Sequence, residues 1–317
     1  MERIVFLDRE TVRAEIRKPA FPHEWREYPH TAPHEVAARL RAATIAITNK
    51  VPVRAEALAA AQDLRLIAVA VTGVDCVDLE CCRERGVVVC NVTHYANDSV
   101  PEHVMMLTLA LRRNLPAYRA AVAAGEWQRA TSFALLDHPL RDVRGAAFGI
   151  IGYGTLGRAV ERLALALGMR VLVAEHKGAA RVRENRVEFA EVLRQSDVVT
   201  LHCPLTDETR NLIGAAELAL MSSEAILINC ARGGVVDEAA LVEALRGGSL
   251  GGAGVDVLTT EPPRGGHALL EAAQSLPNLI VTPHVAWASE GAVCALADQV
   301  VNNLEAFIGG SPQNRVV

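Results

Sequence analysis

The run Ala147-Phe-Gly-Ile-Ile151 reads as a buried strand. It passes directly into Gly152-Tyr-Gly-Thr-Leu-Gly157 and then into Arg158 to Leu167, an amphipathic stretch of helical period. Few folds accommodate that succession. In a strand-turn-helix unit, Gly152 makes the tight turn, Gly154 lets backbone approach a pyrophosphate, and Gly157 lets helix and strand pack closely. The free N–H groups at the helix start, near Thr155 and Leu156, then face the phosphates. The next expected strand, Arg170 to Ala174, delivers Glu175, a carboxylate placed to accept hydrogen bonds from an adenosine ribose and to repel a 2′-phosphate. That favours NAD, while His176 and Lys177, next in line, can contact a phosphate and keep NADP open.

The segments around this unit repeat its alternation. Before it, Ile4 to Leu7, Ile45 to Thr48, Leu66 to Val71 and Val87 to Val92 read as strands. Between them, Glu35 to Arg41, Arg54 to Ala61 and Val77 to Arg85 read as helices. After it come near-continuous apolar strands at Asp197 to Leu201, Ala225 to Asn229, Ala253 to Val257 and Leu279 to Thr282, the signature of a sheet buried on both faces. Alternation of this kind predicts an α/β chain with parallel sheets wrapped by helices. Val100 to Gly125 reads as one long helix, with Pro near its start and Gly at its end. Trp127 to Arg144 reads as a loop or arm, and Ser289 to Ile308 as a last helix that returns to the first domain. At 317 residues, two domains are expected.

Composition narrows the function classes. A net charge of −5, with its basic residues scattered, gives no footprint for a nucleic-acid backbone. The N-terminal apolar run is too short for a signal peptide, and no stretch reaches the roughly 18 to 20 uncharged apolar residues of a membrane span. A soluble cytoplasmic protein is expected. Seven cysteines with no C-x-x-C pair point to buried free thiols rather than to zinc or disulfides.

Three expected strand ends carry polar residues that do not belong in a core. Arg232 follows Ala225 to Asn229, Asp256 and Glu261 stand at and beyond Ala253 to Val257, and His284 follows Leu279 to Thr282. In an open α/β sheet, ligands sit outside the carboxyl ends of the strands, so these residues are candidates for one site. A guanidinium can clamp a carboxylate through a bidentate fork and lend charge to a carbonyl oxygen. A histidine can move a proton near neutral pH, and a neighbouring carboxylate orients it and favours its charged form. Such a set suits a small substrate that bears both a carboxylate and a reacting carbonyl. Taken singly, each residue reads as readily as a surface Arg, an exposed Glu before Pro-Pro or a loop His.

Four runs carry a resemblance: Leu201-His-Cys-Pro-Leu-Thr-Asp-Glu-Thr-Arg-Asn-Leu-Ile213, Asn229-Cys-Ala-Arg-Gly-Gly-Val-Val-Asp237, Gly252-Ala-Gly-Val-Asp256 on to Glu261-Pro-Pro263, and Thr282-Pro-His284. Together they resemble the D-isomer-specific 2-hydroxyacid dehydrogenase family over nearly the whole chain. Tyr95 to His103, Ala174-Glu-His-Lys177 and Ala286-Trp-Ala-Ser289 are most similar to its bacterial glycerate dehydrogenases, also called hydroxypyruvate reductases. The resemblance implies two doubly wound parallel-sheet domains: a Rossmann NAD-binding domain, residues 99–287, and a discontinuous flavodoxin-like substrate domain, residues 1–98 and 288–317. It implies a homodimer and a small 2-oxo acid substrate. Arg232 is implied to bind the substrate carboxylate, His284 to act as acid/base and Glu261 to support it. Thr72 and Gly73 are implied at the substrate carboxylate, and Cys203, Cys230, Ala231 and Asp256 along the cofactor, with Asp256 near the carboxamide.

Two departures from the family pattern stand out. Glu175 replaces the more common Asp at the ribose, and the stretch from Pro263 to Pro283, with His267 read as a loop residue, is longer than in many members. A chain ending at Val317 is expected to lack the regulatory domain of the longer phosphoglycerate dehydrogenases in the family. The expected reaction is hydride transfer to hydroxypyruvate giving D-glycerate. The alternatives are a broad glyoxylate or 2-oxo acid reductase and a non-catalytic NADH-sensing protein.

Overall fold

The computed structural model describes residues 1–317, and the chain separates into two compact units: Met1–Ala96 with Ala288–Val317, and Asn97–Trp287. In the first unit, strands β1 (Glu2–Phe6), β2 (His23–Glu27), β3 (Ile45–Thr48), β4 (Leu66–Val69) and β5 (Val88–Cys90) form one sheet in the order β2-β1-β3-β4-β5. Every pairing is parallel. This is the flavodoxin-like order. Helices α1 (Val36–Leu40), α2 (Ala55–Ala60) and α3 (Leu79–Arg85) are the crossovers. β3 and β4 are buried at every position, as expected for strands covered on both faces.

β2 has no counterpart among the expected strands. Its sequence, His-Glu-Trp-Arg-Glu, lacks an apolar run because it lies at the sheet edge, where backbone pairing to β1 holds it and its side chains stay largely exposed. Just past β1, the buried Asp8 carboxylate accepts the N–H groups of Asn49, Lys50 and Val51 at 2.7–3.2 Å and so fixes the turn after β3. Burial pushes its pKa up. The C-terminal helix, Glu290–Ile308, is capped by Ser289 Oγ and lies against β4. No helix in the chain is long and apolar enough to cross a membrane.

The second unit opens with α4 (Ser99–Arg112), α5 (Leu115–Ala123) and the short α6 (Glu126–Arg129) where one long helix was expected. The break falls at Asn114, which adopts a left-handed conformation (φ 49°), with Pro116 opening the next helix. An apolar period continues across such a break, so the sequence pattern alone hides it. The irregular segment that follows is tied back to these helices. Tyr118 Oη donates to His138 O (2.7 Å), and Arg141 N to Arg112 O (2.9 Å).

Then come β6 (Ala147–Ile151), α7 (Thr155–Ala166), β7 (Arg170–Val173), α8 (Phe189–Gln195), β8 (Val198–Leu201), α9 (Ala215–Leu218), β9 (Ile226–Asn229), α10 (Glu238–Arg246), β10 (Gly252–Val255), α11 (Ala268–Ala273) and β11 (Leu279–Val281). The sheet order is β11-β10-β9-β8-β6-β7. From β6 the chain first winds to β7 on one side and then to β8 and beyond on the other. A doubly wound sheet opens its ligand crevice at the carboxyl ends around that reversal.

Candidate active site

At the reversal, Gly152 takes φ 91°, a conformation that side chains resist, and a Cβ there would stand 2.6 Å from the backbone of His202 and Cys203 beyond β8. A Cβ on Gly157 would lie 2.3 Å from Gly152 O, so only glycine lets α7 start this close to β6. At Gly154 a Cβ would meet nothing within 4 Å: space is left over the backbone. α7 has no side-chain cap, so the N–H groups of its first turn, including Thr155 and Leu156, remain open to an anion.

A pocket of about 520 Å³ lies over these groups, lined among others by Gly152, Gly154, Glu175, Arg183, His202 and Cys203. His202 Nδ1 is enclosed there with no hydrogen-bond partner, and burial pushes the ring's pKa down to about 4, so it is neutral at pH 7. An open glycine bed, unsatisfied helix N–H groups and an orphaned ring nitrogen fit a dinucleotide. Burial raises the pKa of the Cys203 thiol and of Cys230, which keeps both uncharged.

Glu175 does stand just past β7, but its carboxylate is enclosed and already engaged. It accepts from His176 N (2.9 Å), Arg183 N (3.1 Å), Arg183 Nε (2.7 Å) and Arg183 Nη2. The guanidinium's hydrogen bonds hold its carboxyl well below the usual range. The sequence reading assigned Glu175 as a free acceptor and had no role for Arg183, because the loop that folds Arg183 back is not legible from local pattern.

The other end of the sheet carries the polar set. Beyond β9, the Asn229 side chain accepts from Ala231 N (3.1 Å) and donates to Arg232 O (3.1 Å), clamping the turn that presents Arg232. The guanidinium is half-buried, bonds only to Ala231 O (2.8 Å), and forms no ion pair with any carboxylate of the chain. Gly233 packs on the next turn so tightly that a Cβ would sit 1.9 Å from Leu258 O. Leu258 N in turn donates to Glu261 Oε1 (2.7 Å), and Glu261 Oε2 lies 2.6 Å from His284 Nδ1. Backbone and packing thus link Arg232 to Glu261 and His284 across β9, β10 and β11.

Asp256, expected within a strand and near the cofactor, sits one residue past β10 with its carboxylate fully buried. It accepts from Thr282 Oγ1, Val285 N (3.0 Å) and Ala286 N (2.9 Å), while its backbone O accepts from His284 N (2.8 Å). It therefore shapes the turn in which His284 is held at φ 55°. His103, on α4, reaches Thr282 Oγ1 at 3.0 Å, and burial lowers its pKa despite nearby Asp256. The sequence reading gave His103 no role. Trp287 Nε1 donates to His284 O (3.0 Å). His267 is a loop residue, as read from the sequence: it stands just before α11 and reaches Glu238 at 3.2 Å. Thr72 and Gly73 belong to the first unit, past β4, where Thr72 Oγ1 donates to Val92 O (2.8 Å).

Comparison with known proteins agrees with this geometry. Residues 105–286 match the family model described as D-isomer specific 2-hydroxyacid dehydrogenase, NAD binding domain. The chain is 50% identical to a glycerate dehydrogenase of Methylorubrum extorquens over 316 residues, 99% of each chain. It is 38% identical to a hydroxypyruvate reductase of Blautia hydrogenotrophica, covering 89% of this chain and 87% of that one. The solved structure of an NADPH-dependent glyoxylate/hydroxypyruvate reductase from Sinorhizobium meliloti, with NADP and malonate, superposes with TM-score 0.81 at 29% identity, over 100% of this chain and 97% of that one. A dinucleotide cradle, an unpaired arginine and a glutamate-held histidine, in a chain this similar end to end, leave one assignment: the protein belongs to the D-isomer specific 2-hydroxyacid dehydrogenase family.

Proposed function

We propose that the protein interconverts hydroxypyruvate and D-glycerate with a nicotinamide dinucleotide. The observation that carries the chemistry is His284 Nδ1 held by Glu261 at 2.6 Å, with Arg232, an arginine without a carboxylate partner, at the carboxyl end of β9 in the same sheet. The 50% identity to a glycerate dehydrogenase supports the substrate. The dinucleotide, when bound, supplies or takes the hydride. Arg232 binds the substrate carboxylate and draws charge from the carbonyl oxygen. His284, with Nδ1 spent on Glu261, has Nε2 left to give the proton that turns this oxygen into the 2-hydroxyl, and takes it back in the reverse direction. Glu261 positions the ring and balances its charge. Asp256 acts through the turn it shapes. Thr72 and Gly73 are assigned to the substrate carboxylate as well, through backbone N–H groups.

A spectrophotometric panel tests this reading: hydroxypyruvate, glyoxylate, pyruvate and phosphohydroxypyruvate, each with NADH and NADPH. The highest kcat/KM is expected for hydroxypyruvate. A clear preference for glyoxylate would favour the broader reductase, and nucleotide binding with no turnover of any 2-oxo acid would make the protein a sensor.

A homodimer is part of the same proposal. Met106, Leu109, Leu115, Val122 and Leu165, on α4, α5 and α7, are exposed, as are Phe133 (92%) and Leu136 (74%) in the segment after α6. Met106, Leu109 and Leu115 line one open apolar depression with Met105, Leu163 and Leu167, a face that suits an isologous interface between two copies. Sedimentation at micromolar concentration should give twice the 34 kDa chain mass; a 34 kDa species would rule the dimer out.

A further inference from the structure

Past β7 the chain runs Ala174-Glu175, leaves the sheet, turns through Asn185 (φ 60°) and returns, with Glu175 N donating to Val187 O (2.8 Å) and Val187 N to Val173 O (2.9 Å). That return brings Arg183 onto Glu175. An ionised carboxylate has about four lone-pair sites. All four of Glu175's are matched by donors: His176 N and Arg183 Nη2 on Oε1, Arg183 N and Nε on Oε2. No site is left for a ribose hydroxyl unless the arginine lets go. The Glu175 side chain is 3% exposed, whereas that of Arg183 is 57% exposed and its Nη1 makes no bond to Glu175.

The charges around the pocket point the same way. Glu175 is balanced by Arg183, and Lys177 by Glu217 at 2.9 Å. Arg186 also lines the pocket; it stacks on Tyr153 (4.5 Å) and contacts no carboxylate, while Glu208 is the other carboxylate along the lining. A lone carboxylate at the end of this strand would repel a 2′-phosphate, but a carboxylate covered by a fork of guanidinium donors does not.

We infer that Arg183 sets the cofactor tolerance of this protein: by occupying Glu175 it cancels the carboxylate's repulsion and offers its own exposed edge to a 2′-phosphate, so the site takes NADPH as well as NADH. This rests on reading the pocket as the dinucleotide site.

Calorimetric titration with two fragments tests the inference without any 2-oxo acid: 5′-AMP, and adenosine 2′,5′-bisphosphate, which adds only the 2′-phosphate. The unaltered protein should bind the bisphosphate at least as tightly as 5′-AMP. Arg183→Gln should weaken the bisphosphate by about tenfold or more, the scale of a lost charged hydrogen bond, and change 5′-AMP by less than about threefold. Glu175→Gln, which keeps the arginine, should leave bisphosphate binding as tight or tighter, so a folding defect in the first variant does not decide the matter. An unchanged ratio in Arg183→Gln, or a more than tenfold preference of the unaltered protein for 5′-AMP, overturns the inference. Binding of neither fragment overturns it together with the dinucleotide pocket, while failure on the ratio alone leaves the hydroxypyruvate reading standing.

Discussion

Replacing His284 with Gln should lower kcat for hydroxypyruvate reduction by about two to four powers of ten, the usual scale of a lost general acid. At 1.36 kcal/mol per decade this is roughly 3–5 kcal/mol of transition-state stabilisation. Glutamine can still hydrogen-bond, but it carries no proton that it can give up near pH 7. The turn around position 284 should survive, because Asp256 holds it through Thr282, Val285 N and Ala286 N and accepts His284 N on its own backbone oxygen, none of which uses the imidazole. NADH affinity, measured by fluorescence titration, should therefore change little while turnover collapses.

A companion change separates the histidine from its support. Glu261→Gln leaves a single oxygen where the carboxylate uses one for His284 Nδ1 and the other for Leu258 N, and removes the charge, but the proton donor itself remains, so it should cost less than His284→Gln. The loss should fall on kcat while NADH affinity stays unchanged, since Glu261 holds the ring and does not line the dinucleotide pocket. Near-normal kcat in His284→Gln would sink the acid/base role; an unchanged kcat in Glu261→Gln would sink the pairing.

What could be read from the chain and what could not divide along a physical line. The unit Ala147 to Leu167 was legible because each requirement is local: an apolar strand, glycines at fixed offsets, then a helical period. Flavodoxin-like order came only through resemblance, and β2 was invisible because an edge strand needs backbone partners but no apolar face. The break at Asn114 was hidden for a related reason, since one left-handed residue interrupts a helix without interrupting its hydrophobic stripe.

At the site, residue types were legible and partnerships were not. Arg232, Glu261 and His284 were visible as misplaced polar groups at strand ends, and Glu261 was assigned to support His284 by family resemblance. The 2.6 Å contact between residues 23 apart depends on parallel crossovers that bring the ends of β10 and β11 side by side. Asp256 and Glu175 looked available because a carboxylate's own sequence neighbours do not reveal who will reach it. One is satisfied by a turn 26–30 residues on, the other by an arginine eight residues on. Arg183 carries no local signal: it is one of three arginines in Arg181-Val-Arg-Glu-Asn-Arg186.

Arg232→Lys tests whether shape or charge matters at the proposed anchor. Lysine keeps the positive charge but offers a single ammonium in place of a planar fork, so one of two parallel hydrogen bonds to the substrate carboxylate is lost. A hydrogen bond to a charged group contributes about 1.5–3 kcal/mol, so kcat/KM for hydroxypyruvate should fall by roughly ten- to more than a hundredfold. Most of that should appear as a higher KM, with a smaller drop in kcat from the weaker pull on the carbonyl oxygen. The NADH KM should stay within about threefold, because the dinucleotide cradle over β6 to β8 is built from other residues. Folding should be unaffected: the half-buried guanidinium bonds only to the neighbouring Ala231 O, and the turn is held by Asn229 and by Gly233 on Leu258. Unchanged kinetics with hydroxypyruvate would mean that the carboxylate is held elsewhere, whereas equal losses for hydroxypyruvate and NADH would mean that the turn, and not the fork, had been damaged.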